Sequence, residues 1–364
     1  MRRAKRFLRL IDLGGTLPGM APKTNTDGVA TSTRTRGLGS SGITVSALGF
    51  GCWAIGGPFS APGHAAGWGD VDDAESIAAI RRGIELGVTF FDTADVYGTG
   101  HSEEILGRAL AHTPDDIVIA TKFGNTFDEG TGVMTGVDVS PAYIRRACHA
   151  SLRRLGVDRI DLYQCHRGDL EPALAEDVID TLERLRDEGL IRAYGISVDD
   201  PEQARIWGGR DGCAAVQHHL NALEDAPDML ELCEDRELAS IARGPLAMGL
   251  LSGKFDHTSR LPRDDVRGSG ADWLTAFDAD GRPRRAFLDA LAGIRECLTD
   301  DGRTLAQGAL GWIWARSDRT IPIPGFKSVA QAEENAGALA YGPLPTERLR
   351  EIDTLLGRAA SATR

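Results

Sequence analysis

Phe90-Phe91-Asp92-Thr93-Ala94-Asp95-Val96-Tyr97-Gly98 decides how this chain reads. A short apolar run ends at a carboxylate, and five residues later a tyrosine stands in a glycine-punctuated loop. In an α/β barrel the C-terminal strand ends and the loops after them build the pocket, so an acid at a strand end beside a loop tyrosine points there. Three later strand ends answer it: Thr121-Lys122, Cys165-His166 and Gly195-Ile196-Ser197. With parallel strands, Asp92, Lys122, His166 and Ser197 converge on one mouth, and the loop brings in Tyr97.

On either side of that stretch the text alternates between short apolar runs and amphipathic helices. Arg36 to Val45 predicts a small hairpin with Ser-Gly at its turn, and Val45 to Gly51 a first buried strand. Asp72 and Glu75 have capping-box spacing at the head of a helix that Gly87 closes. Ser102 is the expected cap of the next helix, before the strand Ile117–Lys122. Ser140-Pro141 opens a helix, followed by strand Ile160–His166 and a helix near Val178–Glu188. Strand Ile191–Ser197, a helix opened by Asp200-Pro201, strand Ala214–Gln217, a helix near Pro227–Arg236 and strand Leu238–Ala242 come next. A Gly/Arg/Asp-rich excursion from Gly244 to Pro283 reads as a lid or cofactor loop. Helices near Arg284–Leu298 and Thr304–Arg316, strand Thr320–Pro324 and a helix to Ala338 finish the pattern. Eight strands, each followed by a helix, predict an α/β fold: a (β/α)8 TIM barrel over 34–364 with a short N-terminal hairpin and extra C-terminal helices. A doubly wound nucleotide-binding sheet would need GxGxxG at the first helix, and Gly49-Phe-Gly-Cys-Trp lacks the third glycine.

The net charge of −12 over 364 residues argues against a nucleic-acid surface. Residues 1–36 alone carry +6, leaving −18 for the rest, so any anionic cofactor must be met by locally concentrated cations. Residues 1–33 read as a basic, disordered extension outside the fold. Its apolar stretch is interrupted by Arg9 and too short for a signal peptide, and no 18-residue apolar run offers a membrane span. Six scattered cysteines without a CxxC pair suggest neither a disulfide framework nor a metal site, and fit a reducing, cytoplasmic setting.

Asp, Tyr, Lys and His from different strands make a proton-transfer site. Tyrosine is a poor acid near neutrality because its pKa is about 10. A neighbouring ammonium favours the phenolate, and a carboxylate holds that ammonium charged and in place. Histidine can orient a carbonyl oxygen. The sum is a proton donor beside a carbonyl, still in want of an electron source.

The stretches Phe91-Asp92-Thr93-Ala94-x-x-Tyr97-Gly98, Ser102-Glu103-x-x-Leu106-Gly107, Ala120-Thr121-Lys122, Asp161-Leu162-Tyr163-x-x-His166 and Pro245-Leu246-Ala247-x-Gly249-Leu250-Leu251-Ser252-Gly253-Lys254 resemble the aldo-keto reductase family. The resemblance runs from about Arg34 to the C-terminal helix. It implies a barrel that binds NADP(H) without a Rossmann motif and passes hydride to aldehydes or ketones. It makes Asp92, Tyr97, Lys122 and His166 the expected catalytic tetrad, with Tyr97 as general acid. It further implies that Ser197 and Gln217 hold the nicotinamide carboxamide and that Trp53 lines the nicotinamide and substrate side. Pro245, Leu246, Ser252 and Lys254 match the loop over the pyrophosphate. Gly325, Lys327, Gln331, Glu334 and Asn335 match the adenosine 2′-phosphate clamp, where Lys327 and the last helix N-terminus favour an anion and hence NADP over NAD.

Two positions depart from the family pattern. Val198 follows Ser197 where the family usually has asparagine, and Arg243 stands where an aromatic ring usually stacks on the nicotinamide. Arginine can stack through its planar guanidinium. A fixed cation there would disfavour the oxidised, positively charged cofactor. Several tempting residues have plainer readings. His218-His219 are strand neighbours on opposite faces rather than a metal pair, Cys165 points away from His166, and Trp312 and Trp314 belong to a core helix. Two alternatives stay open: a lyase using Lys122 as a Schiff-base nucleophile, and an NADPH-sensing regulatory subunit with little turnover. The substrate, a small carbonyl or alcohol, would be chosen by the loops Gly56–Gly69, Thr126–Asp138 and Gly244–Pro283. The oligomeric state is not legible.

Overall fold

In a computed structural model, residues 35–358 are described, apart from 112, 114 and 115; the basic extension expected over 1–33 lies outside the described residues. The barrel strands are β1 (Gly49–Gly51), β2 (Phe90–Asp92), β3 (Val118–Phe123), β4 (Ile160–Cys165), β5 (Ile191–Ser197), β6 (Cys213–His219), β7 (Ala239–Arg243) and β8 (Thr320–Pro322). They hydrogen-bond in sequence order, and every neighbouring pair is parallel. The ring is closed by a bridge between Gly51 and Gly325, where Gly51 N donates to Pro324 O at 3.1 Å. This is the expected TIM barrel.

Alternation along the strands fills it. Phe90, Val118, Ala120, Leu162, Ala193, Ile241 and Ile321 point inward, while Phe91, Ile119, Phe123, Tyr163 and Ile196 meet the surrounding helices. The expected hairpin forms from Thr35–Gly37 and Thr44–Ser46, and its Leu38, Ile43 and Val45 join the barrel interior, plugging the end opposite the strand C-termini. The single first strand read through Val45–Gly51 is two pieces, one in this hairpin and one in β1.

The helices are α1 (Asp73–Glu85), α2 (His101–Leu110), α3 (Pro141–Leu155), α4 (Pro172–Asp187), α5 (Pro201–Trp207), α6 (Pro227–Asp235), α7 (Arg285–Leu298), α8 (Leu305–Arg316), α9 (Val329–Gly337) and α10 (Thr346–Leu355). Asp72, Ser140 and Asp200 cap their helices as expected. Two cap assignments are corrected. Glu75 leaves its own helix end and accepts Val329 N at 2.9 Å, so it caps α9 instead. Ser102 lies inside α2, fully buried, and donates to Cys52 O at 2.8 Å; Gly100 is the N-cap. Trp312 and Trp314 are buried in α8 as read, and Trp314 Nε1 donates to Ala47 O at 2.9 Å.

The loops at the strand C-termini carry the structure that periodicity did not announce. Asn125–Asp128 and Val133–Val137 pair antiparallel, and Ser60–Ala61 joins them with His64–Ala65 as a four-stranded sheet. The long excursion is tied to the end of the same first loop: Val266 N donates to Gly67 O at 2.8 Å, and Trp68 bridges to Asp265.

Candidate active site

Positions two apart on a strand share a face, and this is what gathers the interior polar groups. Asp92 lies above Phe90, Lys122 above Ala120 and Gln164 above Leu162. All three are sealed from solvent. Lys122 Nζ donates to Asp92 Oδ2 at 2.6 Å, to Thr93 O at 2.8 Å and to the Tyr97 hydroxyl at 3.3 Å. Tyr97 reaches this point because Gly98 (φ +61°) turns the chain sharply against Gly56. A Cβ at Gly98 would stand 1.8 Å from Gly56 O, so only glycine fits. The Tyr97 ring meets the His166 imidazole edge-on at a centroid distance of 5.8 Å. The four members of the expected tetrad are thus together.

The electrostatics divide the roles. Burial disfavours the Lys122 charge, but Asp92 and Tyr97 together outweigh it and hold the ammonium above its ordinary pKa. Burial raises the Tyr97 phenol, and Lys122 opposes that rise without cancelling it. The lysine favours the phenolate in the expected direction, and burial, which the sequence reading did not weigh, is the larger effect. Burial together with the charges of Lys122, Arg243 and Arg167 drives His166 well below its usual range. It is therefore a neutral imidazole at neutral pH, and its Nδ1 has no hydrogen-bond partner among the described residues. Such an arrangement can offer two polar hydrogens to one oxygen while keeping its cation a step behind.

Two amides complete the site, and one of them escaped the sequence reading. Gln164 Nε2 donates to Asp92 Oδ1 at 3.0 Å, and Gln217 Nε2 donates to the same oxygen at 2.8 Å. Gln217, expected at the nicotinamide carboxamide, thus directs its amide donor to Asp92 and, at 3.3 Å, to Gln164 Oε1. Gln164 was legible: it sits two residues before His166, on the inward parity of β4. Ser197 ends β5 beside Gln217, while Val198 is buried and packs on Gly168.

The mouth above the tetrad is aromatic. Trp53 stacks on Tyr97 (5.8 Å, 23°), meets Trp68 edge-on at 5.3 Å and faces Trp273 of the excursion at 6.2 Å. Phe127 and Met134 of the loop sheet pack, as Trp53 and Tyr97 do, against the small core of Phe59, Ala66, Ala94 and Val96. Trp273 is 54% exposed.

The expected cofactor groups fall along one rim. Arg243 ends β7 and pairs with Asp199, so the charge that still reaches Tyr97 and His166 is partly compensated. Pro245 and Leu246 lead into a tight turn with Ala247 and Met248 at positive φ, and Ser252 Oγ closes it on Gly249 O at 2.7 Å. Lys254, Arg267 and Lys327 gather nearby. Burial and the neighbouring Arg267 charge lower both lysines, although Asp265 partly offsets this. Cations that disfavour one another this way suit a polyanionic ligand. Lys327 Nζ donates to Trp68 O at 3.1 Å and Asp70 O at 2.7 Å. The N-terminus of α9 is less open to an anion than expected: Lys327 N is taken by Gln331 Oε1, Val329 N by Glu75 and Gln331 N by Ser328. Asn335 donates to Gly325 O at 3.3 Å, and Glu334 accepts Gln307 Nε2 through its carbonyl.

His218 and His219 part as expected, His218 to Ser240 Oγ (2.7 Å) and His219 to Glu224 (2.7 Å). Cys165 is buried outside the barrel with the other cysteines, all free. Among the described residues no cluster of His, Cys, Asp and Glu could hold a metal, and no helix is long and apolar enough to cross a membrane.

A parallel eight-stranded barrel with an Asp–Lys–Tyr–His group at its strand ends defines a class of barrel oxidoreductases. The chain belongs to the aldo/keto reductase family, whose model matches residues 47–356. It is 35% identical over 324 residues to a Bacillus subtilis (strain 168) protein described as an uncharacterized oxidoreductase, covering 88% of this chain and 96% of that one. It is similar to the glycerol dehydrogenase of Gluconobacter oxydans (TM-score 0.74, 31% identity, 89% of this chain and 95% of that one). It is also similar to an aldo/keto reductase of Klebsiella pneumoniae solved with NADP and acetate (TM-score 0.64, 26% identity, 90% and 96% coverage).

Proposed function

We propose that the protein is an NADPH-dependent carbonyl reductase that converts a small aldehyde or ketone to its alcohol, with Tyr97 as general acid. One observation carries this reading: the Lys122 ammonium is held between Asp92 and the Tyr97 hydroxyl, and the Tyr97 ring lies against a neutral His166. When bound, NADPH supplies the hydride. Tyr97 then gives its proton to the developing alkoxide, and Lys122 stabilises the phenolate left behind. Asp92 keeps the lysine charged and directed. His166, uncharged, orients the carbonyl oxygen by a hydrogen bond.

Trp53, Ser197, Gln217 and Arg243 would border the nicotinamide. Pro245, Leu246, Ser252 and Lys254 would cover the pyrophosphate, and Gly325, Lys327, Gln331, Glu334 and Asn335 the adenosine side. The cations on that rim favour NADP over NAD, in keeping with the NADP carried by the Klebsiella pneumoniae protein. The aromatic mouth favours a flat, apolar substrate. Free cysteines throughout suit a cytoplasmic protein. The Schiff-base alternative is weakened by the pairing of Lys122, which leaves no neutral amine to attack a carbonyl.

Tryptophan-fluorescence titration with NADPH and NADH, followed by a panel of aromatic and aliphatic carbonyls, tests the proposal. Tight NADPH binding with consumption of the reduced cofactor supports it. Binding without consumption would instead mark a cofactor sensor.

A further inference from the structure

We propose that Gln164 and Gln217 are positioning residues that fix Asp92, and through it the Lys122 ammonium, opposite Tyr97. The inference rests on the reductase reading of the same site. A carboxylate offers a lysine two equivalent oxygens, so an Asp–Lys pair alone leaves the ammonium free to turn. Here both amides donate to Oδ1, at 3.0 and 2.8 Å, and Oδ2 alone is left to Lys122 at 2.6 Å. Gln217 Nε2 also lies 3.3 Å from Gln164 Oε1, which ties the two amides to each other.

The consequence follows from counting donors. An ammonium has three N–H groups. Those of Lys122 are spent on Asp92 Oδ2, Thr93 O and the Tyr97 hydroxyl. Turning the carboxylate would redirect the first bond and pull the third away from the phenol. All four polar side chains of this set, Asp92, Lys122, Gln164 and Gln217, are buried, so water is not at hand to replace a lost donor. The titratable groups around Asp92 are Lys122 on β3, Tyr97 after β2 and Cys52 after β1, with Asp95 and His166 beyond Lys122. From β4 and β6 the neighbours are amides, which hold the carboxylate without adding a charge or a titration of their own.

The test compares wild type, Gln164→Leu and Gln164→Glu as full-length chains, with kcat and kcat/KM followed across pH on a carbonyl that wild type reduces. Gln164→Leu should fold with a lowered Tm, keep NADPH affinity close to wild type and lose at least about ten-fold in kcat. Gln164→Glu should work at acid pH, where its protonated carboxyl can still donate to Asp92. It should lose rate as that proton leaves, because two adjacent carboxylates share one proton. That descending limb is something a merely structural amide would not produce. The Tm of Gln164→Glu should likewise match wild type at acid pH and fall below it as pH rises, since a carboxyl with a raised folded pKa stabilises only while protonated. This arm needs no turnover. Wild-type kcat in Gln164→Leu, or rate and Tm profiles of Gln164→Glu parallel to wild type, would overturn the proposal. Gln164→Met, which keeps length without a donor, carries the rate test if the leucine variant does not fold. Absence of wild-type turnover on every carbonyl counts against the reductase reading instead, and the Tm arm then decides whether Gln164 is coupled to Asp92.

Discussion

Lys122 Nζ stands 3.3 Å from the Tyr97 hydroxyl and 2.6 Å from Asp92 Oδ2, and neither Lys122 nor Asp92 is open to solvent. The ammonium is therefore a fixed charge beside a half-buried phenol whose ionisation desolvation opposes. Tyr97→Phe should leave NADPH binding near wild type and lower kcat by about 10²–10⁴-fold, the range typical of a lost general acid. Fluorescence titration and steady-state rates measure the two sides. Near-wild-type kcat would remove Tyr97 from the mechanism.

The Arg243–Asp199 ion pair governs how much positive charge the nicotinamide would meet. Arg243→Tyr removes a cation and should tighten NADP⁺ more than NADPH. Asp199→Asn leaves the guanidinium uncompensated and should weaken NADP⁺ more than NADPH, by about two- to ten-fold at this half-exposed site. Equal changes in both affinities would show that Arg243 does not sense the cofactor's redox state.

Lys327 joins the last βα loop to the carbonyls of Trp68 and Asp70 and belongs to the cationic rim. Lys327→Met should raise the Kd for NADPH about ten-fold or more and change that for NADH far less, because only the former carries a 2′-phosphate for the ammonium to meet. A uniform loss for both cofactors would mean that Lys327 matters only as a loop clasp.

Trp273 faces Trp53 across the mouth at 6.2 Å and is the most exposed large hydrophobic side chain among the described residues. Trp273→Ala should raise KM for aromatic aldehydes about two- to ten-fold, in line with the worth of one aromatic contact, and leave small aliphatic aldehydes almost unchanged. Similar shifts in both series would place Trp273 outside the substrate's reach.

His218 is buried and His166 half-buried, and both are held below their usual pKa, His218 at about 4. Unfolded, each would bind a proton near pH 6.5. The unfolded state thus holds more protons between the two values, and stability falls as pH drops through that window. Urea unfolding should show wild type losing about 1–2 kcal/mol more than His218→Gln between neutral pH and about pH 5. Parallel losses would assign acid sensitivity to other groups.

The barrel was legible because its signal is local and repeated. A strand of two or three inward residues, a cap such as Ser140-Pro141 or Asp200-Pro201, and a helix with one apolar face recur along the chain, and each unit can be read without knowing its neighbours. The caps that failed, Ser102 and Glu75, failed because a distant partner outbid the local one. Cys52 O takes Ser102, and the amide of Val329, 254 positions away, takes Glu75. The sheet formed by Ser60–Ala61, His64–Ala65, Asn125–Asp128 and Val133–Val137 was missed for the same reason. Its pairing joins two loops far apart in sequence, and short irregular strands have no periodicity to betray them.

The sequence by itself determined the parallel barrel, the residue types at its strand ends and the convergence of Asp92, Lys122 and His166, because period-two alternation and strand order are properties of the chain. Only the tertiary structure decided what those groups feel. Burial raises Tyr97 although Lys122 touches it, Asp199 pairs with Arg243, and two amides from different strands meet on one oxygen of Asp92. These outcomes depend on solvent exclusion and on side chains brought together across the barrel, and neither is encoded in any stretch short enough to be read alone.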